Sequence, residues 1–197
     1  MIGLLLSGGM DSVSIAWWKR PDIAVTVDYG QRPSVAEVEA AVAVCLEIGI
    51  RHEIVRADCS SVGSGDMAAM PPISVAPVPE WWPFRNQLLL TLAGIAAVRI
   101  GVTNLMIGTL ATDSVHADGR PDFIETMSRL MSLQEGGITV SAPAISMTAA
   151  ELVKTSGIPR EVLAWAHSCH VGNFACGQCR GCVKHYKTWE ALGWDPH

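Results

Sequence analysis

The chain has 197 residues, 49% apolar and 17% charged, enough to close one hydrophobic core without requiring a second. A formal charge of −5 disfavours tight binding to a nucleic-acid backbone, so no strong nucleic-acid partner is expected. The opening run MIGLLL has no cationic leader and its apolar stretch stops at Ser7, too short for a signal peptide or a membrane span; the expectation is a cytoplasmic protein with no membrane partner.

Residues 2–6 predict a buried strand, and Asp11 to Lys19 a helix beyond a glycine pair. IAVTVDYG (23–30) predicts a second strand, Ser34 to Ile48 a long helix, and HEIVRA (52–57) a third strand. Residues 58–83 carry five prolines, at 71, 72, 77, 79 and 83, which rules out a helix or a central strand there; loops of this length are usually functional or mobile. A helix follows from Arg85 to Ile100, then a strand (104–109), an irregular polar stretch (111–121), a helix from about Pro121 to Gln134 and a strand (138–143). Short helices near 148–156 and 160–166 lead to a cysteine cluster, and an amphipathic helix from Gly181 to Leu192 ends the series. Strands alternating with helices imply right-handed crossovers and an α/β fold with a doubly wound parallel sheet, whose ligands bind beyond the carboxyl ends of the strands.

The segment between the first strand and helix is Ser7-Gly8-Gly9-Met10-Asp11-Ser12. Backbone N–H groups and a helix N-terminus converge there, which makes an anion site, and the two serines can add hydroxyl donors. Asp11 would repel phosphate, so it serves best as a Mg²⁺ ligand or a helix cap. No lysine lies between Ile2 and Trp18, so this is not a Walker A loop, and a plain capped turn is the competing reading. Near the other end, Cys169, Cys176, Cys179 and Cys182 offer four thiolates, enough for a closed tetrahedral metal site. Structural zinc, an iron–sulfur cluster and a redox dithiol compete, and four neighbouring cysteines favour zinc.

Ser7 to Ser12 resembles the SGGxDS motif of the PP-loop ATP pyrophosphatases, which cleave ATP between its α- and β-phosphates. Together with the cysteines, the segments DYGQR (28–32), PFRN (83–86), IGT (107–109) with Asp113, and PDF (121–123) make the chain similar to the 7-cyano-7-deazaguanine synthases, the QueC-like family. The resemblance implies an adenine-nucleotide α-hydrolase fold. Residues 1–197 would then form a single domain, with 166–197 a zinc-binding C-terminal extension. It implies ATP as substrate with Mg²⁺ and Zn²⁺ as cofactors, and activation of a 7-deazaguanine carboxylate that ammonia converts to an amide and then a nitrile, as in queuosine biosynthesis.

By the same resemblance, Ser7, Asp11, Ser12 and Arg85 are catalytic. Ser7, Gly8, Gly9, Met10, Asp11, Ser12, Arg32 and Gly108 would hold the nucleotide. Arg85, Asn86, Asp113, Asp122 and Phe123 would hold the substrate, and Cys169, Cys176, Cys179 and Cys182 the metal. A homodimer is expected. Three departures from the family pattern stand out: Pro33 in place of His, Thr148-Ala149 in place of Ser-Lys, and Ala166-His167-Ser168 in place of an aromatic run. The chain is also short for the family. These changes motivate a second reading, transfer of the activated carboxylate to an amine of a protein or other acceptor in a defence or modification system. A third reading is a non-catalytic, zinc-containing nucleotide-binding module.

Overall fold

Side chains that alternate in direction make the first apolar run a central strand. In β1 (Ile2–Leu5) and the residue after it, Leu4 and Leu6 enter one core and Leu5 the core on the opposite face. The pattern repeats in β2 (Ile23–Asp28), where Ile23, Val25 and Val27 face one way and Ala24 the other. The computed structural model describes residues 1–195.

In chain order the helices and remaining strands are α1 (Met10–Lys19), α2 (Ser34–Ile48), β3 (Arg51–Arg56), α3 (Arg85–Arg99), β4 (Asn104–Met106), α4 (Pro121–Ser132), β5 (Thr139–Ser141), α5 (Ala149–Ser156), α6 (Arg160–Leu163) and α7 (Arg180–Ala191). The sheet order is β3-β2-β1-β4-β5 with every pair parallel. One face is covered by α1, α2, α5, α6 and α7 through Val13, Val44, Leu152, Leu163 and Trp189, and the other by α3 and α4 through Leu90, Ala97, Ile124 and Met127. The polar strand β3 sits at an edge, where alternate residues reach water. No helix among the described residues is long and apolar enough to cross a membrane.

From β1 the chain winds outward to β3, then crosses back to place β4 on the other side of β1. The carboxyl ends of β1 and β4 therefore meet at the switch point of the sheet, where a crevice opens between loops that diverge. The loop Ser7 to Ser12 leaves β1 there, and Gly108 follows β4.

The predicted elements match closely, with β4 and β5 shorter than their apolar runs. Residues 58–83 form no long helix or strand, but they are packed rather than loose. They contain 3-10 turns at Ser60–Val62 and Asp66–Ala68, and Trp82, 1% exposed, meets the ring of Tyr29 edge-on at 4.9 Å. Thr148 keeps the start of α5 in order: its hydroxyl accepts from the N–H of Glu151, whose carboxylate accepts from the N–H of Thr148. The Thr-Ala pair thus preserves a capping box while Ala149 joins the core.

Candidate active site

The Ser7–Ser12 loop is wired by its own serines. Ser12 Oγ accepts from the N–H of Ser7 at 3.2 Å and donates to the carbonyl of Gly9 at 2.9 Å, while Ser7 Oγ lies 3.1 Å from Ser12 Oγ and accepts from the N–H of Gly9 at 3.3 Å. Gly8 adopts φ +75°, and a Cβ there would fall onto the carbonyl of Glu37 in α2. Its own carbonyl accepts from the N–H of His167 at 2.9 Å, so the C-terminal extension touches the loop directly. Gly8→Ala combines left-handed strain with a backbone overlap costing about 2 kcal/mol or more. The melting temperature should fall by about 4–8 °C, and a scan showing no change would refute this account of the loop.

A cavity of about 730 Å³ opens over the loop, within the size range of small-molecule sites. Ser7, Gly9, Met10, Asp11, Ser12, Arg85, Asn86, Gly108 and Asp113 line it, which brings together most of the residues singled out from sequence. Gly8, Arg32, Asp122 and Phe123 do not line it; Gly8 gives its carbonyl to the N–H of His167 and packs against Glu37 of α2. Arg32 is exposed on the turn into α2, Asp122 is exposed in the first turn of α4, and Phe123 packs against the α3–α4 core.

Sequence reasoning missed several lining groups. Lys184 of α7 places Nζ 2.7 Å from Asp11 Oδ2 and 3.7 Å from Asp113 Oδ1. The second oxygen, Asp11 Oδ1, is buried and finds no hydrogen-bond partner among the described residues. Burial pushes the Asp11 carboxyl above its usual range, with the Lys184 charge opposing. An orphaned carboxylate oxygen beside a phosphate-type loop suits a hard cation such as Mg²⁺. Glu37 is a second half-buried carboxyl, pushed up to about 7 by desolvation against a 2.8 Å bond from Gln31 Nε2.

Farther along the wall, Arg180 Nη1 bonds Glu80 at 2.9 Å and lies 3.2 Å from His116 Nε2, tying α7 to two loops. Asn86 donates its backbone N–H to Asp118 Oδ2 and its side-chain amide to the Asp118 carbonyl. Asp118 is therefore fixed in the cavity wall. Arg85 reaches Met67 Sδ at 3.1 Å, on the side of the cavity lined by Tyr29 and Leu89.

The thiol groups of Cys169, Cys176, Cys179 and Cys182 lie within 4.8 Å of one another, with Cys176 and Cys182 Sγ 3.9 Å apart. Metal–sulfur bonds of about 2.3 Å at tetrahedral angles separate sulfurs by about 3.8 Å, so this donor set fits a closed tetrahedral ion. Backbone N–H groups of Gln178 and Cys179 draw the Cys176 thiol down to about 6, and the N–H groups of His170 and Cys182 point to Cys179 Sγ. Gly181 is required because a Cβ would overlap the Ser168 carbonyl where α7 crosses the knot.

Residues 2–193 match the family described as Queuosine biosynthesis protein QueC. The 7-cyano-7-deazaguanine synthase of Methanosarcina mazei is 28% identical over 96% of this chain and 93% of its own length. Those of Pseudomonas syringae pv. tomato and Ralstonia pickettii are each 32% identical over 96% of this chain, and over 92% and 94% of their own lengths. With loop, cavity and cysteine knot in one fold, and a family match running almost from end to end, the chain belongs to the QueC family.

Proposed function

We propose that this protein uses ATP to adenylate the carboxylate of a 7-deazaguanine and passes the acyl group to ammonia, yielding an amide that a second activation dehydrates to a nitrile. A carboxylate resists nucleophiles until one of its oxygens becomes part of a leaving group, and an adenylate supplies that group as AMP. The observation that carries the reading is the Ser7–Ser12 loop at the switch point, sharing one cavity with Arg85, Asn86 and Asp118.

In this reading the loop N–H groups and the Ser7 and Ser12 hydroxyls bind the phosphates, and Arg85 holds the substrate carboxylate by charge-assisted hydrogen bonds. Asn86 braces Asp118, whose carboxylate faces the donor edge of a guanine-like ring. Mg²⁺, held by Asp11, would neutralise phosphate charge. Residues 1–197 act as one PP-loop domain, and zinc in the four-cysteine knot of the extension 166–197 serves a structural purpose, since a closed thiolate site leaves no position for substrate.

Incubation with ATP, ammonia and 7-carboxy-7-deazaguanine, followed by mass spectrometry, tests this. AMP and pyrophosphate are expected together with the amide and nitrile, with one ATP used for each activation. ADP and phosphate as products, or no substrate-dependent pyrophosphate, would overturn the reading.

A further inference from the structure

The phosphate loop brings no cation of its own: between Ile2 and Trp18 there is neither lysine nor arginine. At the start of α5, which also borders the cavity, residue 149 is alanine. A nucleotide triphosphate nevertheless delivers several negative charges to this point, and backbone dipoles alone compensate them only in part. The cation found against the loop comes from the far end of the sequence, 173 residues from Asp11.

We propose that Lys184 is the phosphate-binding cation of this site, carried to the loop by the cysteine knot and parked on Asp11 until nucleotide arrives. The inference rests on the adenylating function above. Three observations support it. Lys184 Nζ contacts Asp11 and stands near Asp113, so one ammonium faces two carboxylates. That set is short of positive charge by one, and Asp11 Oδ1 finds no hydrogen-bond partner among the described residues, so the carboxylates keep a charge and a lone pair for a divalent ion to engage. Finally, Lys184 lies two positions beyond Cys182 in the first turns of α7, and Arg180 in the same helix is fixed to Glu80, so the lysine is held from both sides.

When a divalent ion occupies the carboxylates, the ammonium is released toward the phosphates that the ion accompanies. Lys184 then grips the pyrophosphate portion, and AMP, which lacks that portion, gains nothing from it. The knot thereby contributes to binding as well as to folding, because it delivers the charge the loop lacks.

The test measures binding of inorganic pyrophosphate and of AMP, each with magnesium, to the zinc-loaded wild type and to Lys184→Met, which keeps the apolar stem. Pyrophosphate affinity should fall by about 10- to 100-fold, the worth of one charge-assisted contact, with AMP affinity unchanged. Lys184→Arg should restore most of the loss, and zinc content should match the wild type in both variants, while the melting temperature of Lys184→Met falls because Asp11 loses its partner. Equal pyrophosphate affinity in Lys184→Met, with or without tighter magnesium binding, would make the lysine only a counter-ion of Asp11 and overturn the proposal while leaving the adenylating function standing. Equal losses for pyrophosphate and AMP would show a structural role and overturn it likewise. A wild type that binds no pyrophosphate would overturn both.

Discussion

Cys179→Ser is expected to release the metal proposed for the cluster and with it the part of the cavity wall that α7 supplies. The substitution is informative because Cys179 has two roles. Its sulfur is one of the four thiolates, and it also caps α7 by accepting from the N–H of Cys182. Serine is a good N-cap, so the variant keeps the cap and loses only the thiolate. Binding of a structural zinc ion at four thiolates is worth about 10–16 kcal/mol of folding free energy in small metal domains, as much as the whole stability of many proteins. Wild-type protein should carry about one zinc per chain, whereas the variant should lose it and either precipitate or melt far below the wild type. Chelation of wild type should reproduce the effect, seen as a change in tryptophan fluorescence to which loss of the Trp189–His185 stack contributes. Iron and sulfide in place of zinc, or an unchanged melting curve for Cys179→Ser, would refute this assignment.

The fold was legible because its central strands are short apolar runs flanked by turn residues, and the two faces separate by simple alternation. The loop and the cysteines were legible because each is contiguous in sequence. What stayed hidden depends on contacts between distant segments. Glu80 acquires a role only when Arg180, 100 residues later, folds against it, and Asp118 only when α3 presents Asn86 across 32 residues. Lys184 lies in sequence among the other polar residues of an amphipathic helix. Its place two residues past a cysteine of the four-thiol cluster was the signal that could have drawn attention to it. Arg32, Asp122 and Phe123 entered by family likeness, and the structure places all three away from the cavity.

Asp11→Asn is expected to abolish substrate-dependent pyrophosphate release while leaving the protein as stable as before, or more so. The two halves of this prediction have one cause. Asp11 is half-buried and its buried Oδ1 finds no partner among the described residues, so the charge is held at a cost that desolvation makes visible as a raised carboxyl pKa. An acid whose folded pKa lies above its unfolded value favours the fold below the unfolded value, and that contribution disappears as pH rises through the folded one. At neutral pH the ionised carboxylate therefore contributes nothing through this shift, and a neutral amide of the same shape relieves the desolvation. The relief is partly offset by the weaker bond to Lys184, which still has Asp113 nearby. Function moves the other way. An amide cannot neutralise a divalent ion, and loss of the charge that holds it beside the phosphates should lower turnover by about 10³-fold or more, the scale of removing a main electrostatic group. A folded variant with lost activity is the signature of a residue kept for chemistry at the expense of stability. Thermal melting and pyrophosphate release on the same preparation check both halves. Full turnover in Asp11→Asn would remove the carboxylate from the mechanism, and a marked drop in melting temperature would show that Asp11 is there to hold Lys184 and α7 in place.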